Sequence, residues 1–195
     1  MIKALFKFAN APNYKGLDID TTSNSGQFKQ LSPFILRCLE PTTGKSVIFE
    51  NLWQFSKVYK RFDGGDKPLP EWYMWRADGW FSKQPHRYPM GKGATPEYSY
   101  WQGEKLGYIE ARKKIYAPIY AQWVSLTDSF KTLQVLYNSK QNIILRDFDA
   151  YDYEALGMTL KDVINNPKRK MGHAFVLIMM LKGELESCIK PESLL

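Results

Sequence analysis

A single mixed α/β domain, leaning toward α+β, is the fold class this sequence predicts, and three observations predict it. An apolar run, Ser46-Val-Ile-Phe49, passes directly into a helical pattern. A second apolar run, Asn142-Ile-Ile-Leu-Arg146, appears late in the chain, and Met171 to Glu186 has an almost unbroken apolar middle. Strands interleaved with helices in 195 residues, of which 44% are apolar, suit one domain with a sizeable core.

Residues Ile2 to Phe8 alternate loosely and read as an opening strand. Asn10 to Gln30 is rich in Asn, Gly, Ser, Thr and Asp without sustained periodicity, so a long loop is expected. Phe34 to Leu39 and Ser46 to Phe49 flank a turn-forming Glu40-Pro-Thr-Thr-Gly-Lys45 and form a hairpin feeding the next helix. In that helix Leu52, Phe55, Tyr59 and Phe62 share one stripe; Glu50, Gln54, Lys57 and Arg61 share the opposite one, with Trp53 on the border. The polar stripe is either a solvated face or one wall of a polar cleft with Glu50 at its mouth.

Asp63 to Pro70 breaks the helix, and Glu71 to Phe81 forms another, with Trp72 and Trp75 at helical spacing for the core. Arg87-Tyr-Pro-Met-Gly-Lys-Gly93 is a basic loop with two glycines, matching neither dinucleotide-binding nor P-loop spacing; it is a turn or a loose phosphate contact. From Gly103 the pattern is helical again, with Pro118 expected to kink or split it. A short helix follows over Asp128 to Tyr137, then the late strand and the acidic, aromatic stretch Asp147 to Tyr153. Ligand residues commonly sit at such strand ends. Glu184 to Leu195 reads as a frayed tail.

The net charge of +7 favours anionic partners: nucleotides, nucleic acid or an acidic surface. Cys38 and Cys188 are too few for a disulfide framework, so a cytoplasmic setting is expected. No signal peptide is recognisable, and the apolar run Ala174 to Leu181 is too short to span a bilayer, so no membrane partner is expected. There is no Gly-x-Ser-x-Gly elbow, Cys-x-x-Cys or His-Glu-x-x-His, and His86 and His173 are the only histidines. Zinc chemistry and a Ser/His/Asp hydrolase are therefore set aside, and neither metal nor cofactor is expected.

What remains is carboxylates beside aromatics: Glu50, Asp147, Asp149 and Asp152. Two carboxylates can stabilise an oxocarbenium-like sugar and activate water, with aromatics stacking on a base and cations holding phosphate. The same inventory also describes a plain acidic surface loop.

Leu31-Ser-Pro-Phe34, the hairpin, and Glu50, Gln54 and Lys57 at their spacing together resemble the opening of the NADAR superfamily of YbiA-like N-glycosidases. The helix Tyr108 to Tyr120, the strand Ile143 to Asp149 and Gly172-His-Ala-Phe-Val-Leu-Ile-Met-Met180 resemble later parts of that family's pattern. Asn51 replaces the family's His, Tyr108 replaces a Trp for which Trp101 can substitute, and His173 lies where Asn is usual.

The resemblance implies one NADAR-like domain over 1–195, with a small β-sheet core surrounded by helices and residues 64–103 as an insertion or substrate loop. It implies hydrolysis of an N-glycosidic bond in an ADP-ribose conjugate, NAD-derived or modified nucleotide. Glu50 would act on the sugar, Asp149, Asp147 or Asp152 would be the second carboxylate, and Gln54 belongs to the motif. Trp53, Trp101 or Tyr108 would stack on the base; Lys57, Arg87 and Lys92 would contact phosphate. The other expectations are a non-catalytic binder of nucleotide or nucleic acid, and a structural or partner-inhibiting protein.

Overall fold

The computed structural model describes residues 1–11 and 13–190. In chain order its elements are β1 (Ile2–Phe6), β2 (Leu17–Asp20), β3 (Arg37–Leu39), β4 (Ser46–Ile48), α1 (Phe49–Phe55), β5 (Lys57–Val58), α2 (Pro70–Trp80), β6 (Tyr98–Trp101) and β7 (Glu104–Leu106). There follow α3 (Tyr108–Ala111), α4 (Ala117–Val124), α5 (Asp128–Asn138), β8 (Ile143–Asp147), α6 (Leu160–Asn165), α7 (His173–Lys182) and α8 (Leu185–Ile189). They form the mixed α/β domain the sequence predicts.

β8 is the centre of a three-stranded parallel sheet, order β1–β8–β2, in which Ile2 and Leu17 both sit opposite Ile143. All five β8 residues are buried, as in a strand covered on both faces, which is why it reads as a continuous apolar run. α7 packs on β1 and β8, and its residues 173–179 are all buried. Gly183 ends it at φ +71°, a left-handed conformation that only glycine adopts without steric cost. Among the described residues no helix is long and apolar enough to cross a membrane.

The helix expected to continue through Phe62 stops at Phe55. Ser56 Oγ donates to the Trp53 carbonyl at 2.8 Å, and Lys57 and Val58 leave the helix to pair with Ser99 and Tyr98 of β6. A long-range ladder outcompetes local propensity here. The apolar stripe is therefore divided: Leu52 and Phe55 join the main core, while Tyr59 and Phe62 join a smaller cluster with Trp72 and Tyr98. Trp72 and Trp80 are buried as core, their indole N–H groups donating to the carbonyls of Lys57 at 2.9 Å and Leu52 at 3.3 Å.

The expected loop Asn10 to Gln30 contains β2 and a 3₁₀ turn over Gly26–Leu31. Leu-Asp-Ile-Asp buries only Ile19, too short an alternation to read as a strand. The hairpin's first strand begins at Arg37 rather than Phe34, because the Leu36 N–H is turned back to the Ser32 carbonyl at 2.9 Å. The helix expected from Gly103 begins at Tyr108, after the β6–β7 hairpin, and Pro118 does not split it. Instead Arg112–Tyr116 widens into a π turn. That widening relieves the clash a proline ring makes with the carbonyl four residues back, here Lys114. α6 was not expected; Thr159 and Asp162 start it with reciprocal bonds of 3.1 Å and 2.8 Å. The tail expected from Glu184 instead forms α8 with Cys188 buried, and its residues 191–195 lie outside those described.

Candidate active site

Where β4 runs into α1, β8 ends and α7 begins, the chain leaves a cavity of about 310 Å³. A second lobe of about 160 Å³ adjoins it, and the two share Trp53, Gln54, Arg87, Tyr116, Asp149 and Met171. Glu50, Asp147, Asp149 and His173 line the first lobe; Lys57, Arg87, Arg112 and Lys170 line the second, with Asp149 its one carboxylate.

Glu50 stands in the first turn of α1, with its backbone N–H donating to the Pro33 carbonyl at 3.0 Å. Helical spacing then places Gln54 one turn on. Gln54 Nε2 donates to Glu50 Oε1 at 2.8 Å, and its Oε1 accepts from Lys57 Nζ at 2.6 Å. Glu50 and Gln54 are thus buried on the cavity side, with Lys57 half-buried beyond them, while Arg61 of the same expected stripe is exposed and lines neither lobe. Burial pushes the Glu50 carboxyl above its ordinary range, against the pull of Gln54, Lys57 and Arg87. Burial lowers the Lys57 ammonium to about 8 although Glu50 favours its charged form. Lys57 Nζ lies 4.8 Å above the Trp53 ring, whose edge-on partner is Tyr116 at 5.1 Å. Trp53 is only 8% exposed, so it walls the cavity rather than offering an open stacking face.

Asp147 ends β8 and meets the start of α7. Its Oδ2 lies 3.1 Å from His173 Nδ1 and accepts the Ala174 N–H at 3.2 Å; Oδ1 accepts the Asp149 N–H at 3.2 Å. His173 Nε2 faces two oxygens of Thr21, the carbonyl at 3.0 Å and the hydroxyl at 2.7 Å. That hydroxyl gives its own proton to the Arg146 carbonyl at 2.8 Å, so both imidazole nitrogens face acceptors and both must donate. This arrangement favours the imidazolium form of His173. Burial opposes charge on both partners, but each holds the other ionised: Asp147 is lowered and His173 raised from its ordinary value. Asp147 is fully engaged as a support beneath the cavity.

Asp149, two residues past it, is one-third exposed and pairs with Arg87 at 2.9 Å, with Lys170 at 4.0 Å. Arg87 reaches it because Asn51 fastens the preceding loop to α1: Nδ2 donates to the Gln84 carbonyl at 2.9 Å and Oδ1 accepts the His86 N–H at 2.8 Å.

The site expected from sequence is brought together at Glu50, Gln54, Trp53, Lys57, Arg87, Asp147 and Asp149, with Tyr108 on the second lobe. Three expected residues are elsewhere. Asp152 pairs with Lys3 at 3.0 Å beside a different, open hollow, because the chain turns away after Asp149. Trp101 is buried against Trp80, 6.2 Å between centroids, by the side-chain alternation of β6. Lys92 is exposed and lines neither lobe; Gly91 and Ala94 of its loop line the second. Sequence reasoning missed Phe34, Phe148, Tyr116, Ser32 and His173 as cavity walls. All five lay in stretches already singled out, Phe148 in the acidic one and the others in those that carry the resemblance, but which of their side chains face the cavity needed the fold.

Among the described residues no group of three or more His, Cys, Asp or Glu is arranged to hold a metal ion. No family model, curated protein or solved structure matches this chain.

Proposed function

We propose that this cleft hydrolyses the N-glycosidic bond of a nucleotide-like substrate: an ADP-ribose conjugate, an NAD-derived molecule or a modified nucleotide. The observation that carries the reading is that Glu50 and Asp149, from distant parts of the chain, line one cavity that opens into a cation-rich lobe. The sugar sits between the two carboxylates, its base against Phe34 and Phe148, and its phosphate in the second lobe near Lys57 and Lys170.

As the C1′–N bond breaks, its electrons leave with the base, which departs neutral where it was cationic, as in NAD, and otherwise ends with the proton removed from the attacking water. Positive charge meanwhile spreads over C1′ and the ring oxygen. One carboxylate stabilises that charge; the other takes a proton from the water that attacks C1′. Glu50 suits the base role, because burial raises its proton affinity. The NADAR resemblance of the Glu50, Gln54 and Lys57 row adds support. The free thiols of Cys38 and Cys188 accord with a cytoplasmic setting.

A second reading, a non-catalytic binder of nucleotide or nucleic acid, is favoured by one feature: the second lobe carries four cationic side chains and one carboxylate. The two readings separate on incubation with NAD, ADP-ribose conjugates, nucleoside monophosphates and modified nucleic acid. Free base detected by mass spectrometry supports hydrolysis. Binding without base release, falling steeply with salt, supports the binder.

A further inference from the structure

The chain from residue 166 to 172 closes one side of the cleft. It supplies Lys170, Met171 and Gly172, and the Gly172 N–H donates to the Asp149 carbonyl at 3.1 Å. Met171 packs in the main core and the Arg169 guanidinium lies 5.0 Å from the Tyr151 ring centroid, but the loop's own carbonyls are gathered by one buried side chain. Arg112 is 2% exposed, and its Nη1 donates to the carbonyls of Asn166 at 2.8 Å and Ile164 at 3.3 Å. Nη2 donates to Tyr108 Oη at 2.7 Å and to the Arg169 carbonyl.

Among the described residues no carboxylate lies within ion-pair reach of this guanidinium. A buried charge without a counter-ion is costly, and the last-turn carbonyls of α6, the negative end of that helix, offset it. Arg112 also opens the π turn, so that Tyr108, Arg112 and Tyr116 form one wall of the second lobe. The guanidinium therefore ties that wall to the loop opposite.

We propose that Arg112 is a positioning residue of the cleft. Its planar fork sets the place of the 166–172 loop and, through Gly172, of Asp149, without touching the reacting bond. A lysine keeps the charge but cannot span these carbonyls. The consequence for catalysis rests on the glycosidase reading above; the geometric role does not.

The test is amide hydrogen exchange on the full chain, comparing Arg112→Lys with the parent. Exchange over residues 166–173 should quicken about tenfold or more while β1 and β8 stay protected. Arg112→Ala should behave alike, with added methylguanidinium restoring protection. Should Arg112→Lys not fold, Tyr108→Phe takes its place, since its ring is half-exposed and it removes one acceptor; faster exchange in the same window supports the role. Unchanged exchange there, or an equal rise throughout the sheet as from a general stabiliser, overturns it. With a turnover assay, Arg112→Lys should lower kcat more than it raises KM. Absence of any turnover would sink the glycosidase reading but leave the exchange result standing.

Discussion

Gln54 gives its amide N–H to the Glu50 carboxylate at 2.8 Å, one helical turn away, so the carboxylate is held facing the cavity rather than free to swing. The other end of the same amide accepts from Lys57. The protonation of Glu50 and Lys57 is thereby linked through one side chain.

A pH–rate profile should show this linkage. Under the proposed hydrolysis the active form would have Glu50 ionised and Lys57 protonated, so the rate should fall as pH rises through about 8. The acid limb should lie above the ordinary glutamate range, since burial raises Glu50. Lys57→Met removes a positive neighbour and should move that acid limb higher still. An acid limb that stays put or moves down would contradict the linkage.

The Asp147 and His173 pair should govern stability against pH. Asp147 is lowered in the fold, so its contribution is full above its ordinary 3.8 and is lost as pH falls through the depressed value. His173 is raised, so its contribution is full below its ordinary 6.5 and is lost as pH rises through the elevated value. Urea melts should therefore find the pair's whole effect between those two ordinary values. His173→Ala leaves a buried carboxylate without its partner and should cost about 3–5 kcal/mol there.

Gly172→Ala should be damaging although the backbone conformation is ordinary. A Cβ at Gly172 would come 2.0 Å from Asp147 Oδ2, and that carboxylate is pinned by His173, Ala174 and Asp149. The expected loss is about 1–3 kcal/mol by urea denaturation, with reduced turnover because Asp149 shifts. Wild-type stability in this variant would show that the carboxylate can move.

Asp152→Ala serves as the control. Its pair with Lys3 lies at a partly exposed site away from the cleft, so stability should change by less than about 1 kcal/mol and turnover should not change. A large loss of turnover would return Asp152 to the site.

The row Glu50, Gln54 and Lys57 was legible because helical spacing lies in the sequence itself. It survives even though the helix ends at Phe55, since Lys57 leaves it within reach of Gln54. Asp149 was legible as a strand-end acid. The role of Asp147 was not, because it depends on His173 and on Thr21, which follows the neighbouring strand β2 but is far away in sequence. Trp101 and Lys92 were misplaced for a related reason: composition says that aromatics and cations are present, but strand alternation and loop path decide where they point. The burial of Arg112 was not legible, because the carbonyls that surround it come from α6, itself unforeseen, and from the loop after it.

The most direct measurement compares wild type with Glu50→Gln on the same substrate panel, reading base release by mass spectrometry and binding by calorimetry. The expected result is base release by wild type, a loss of about 10²-fold or more in the variant, and binding retained by both. Equal turnover by Glu50→Gln would contradict the central claim, as would a wild-type protein that binds these ligands and never releases a base.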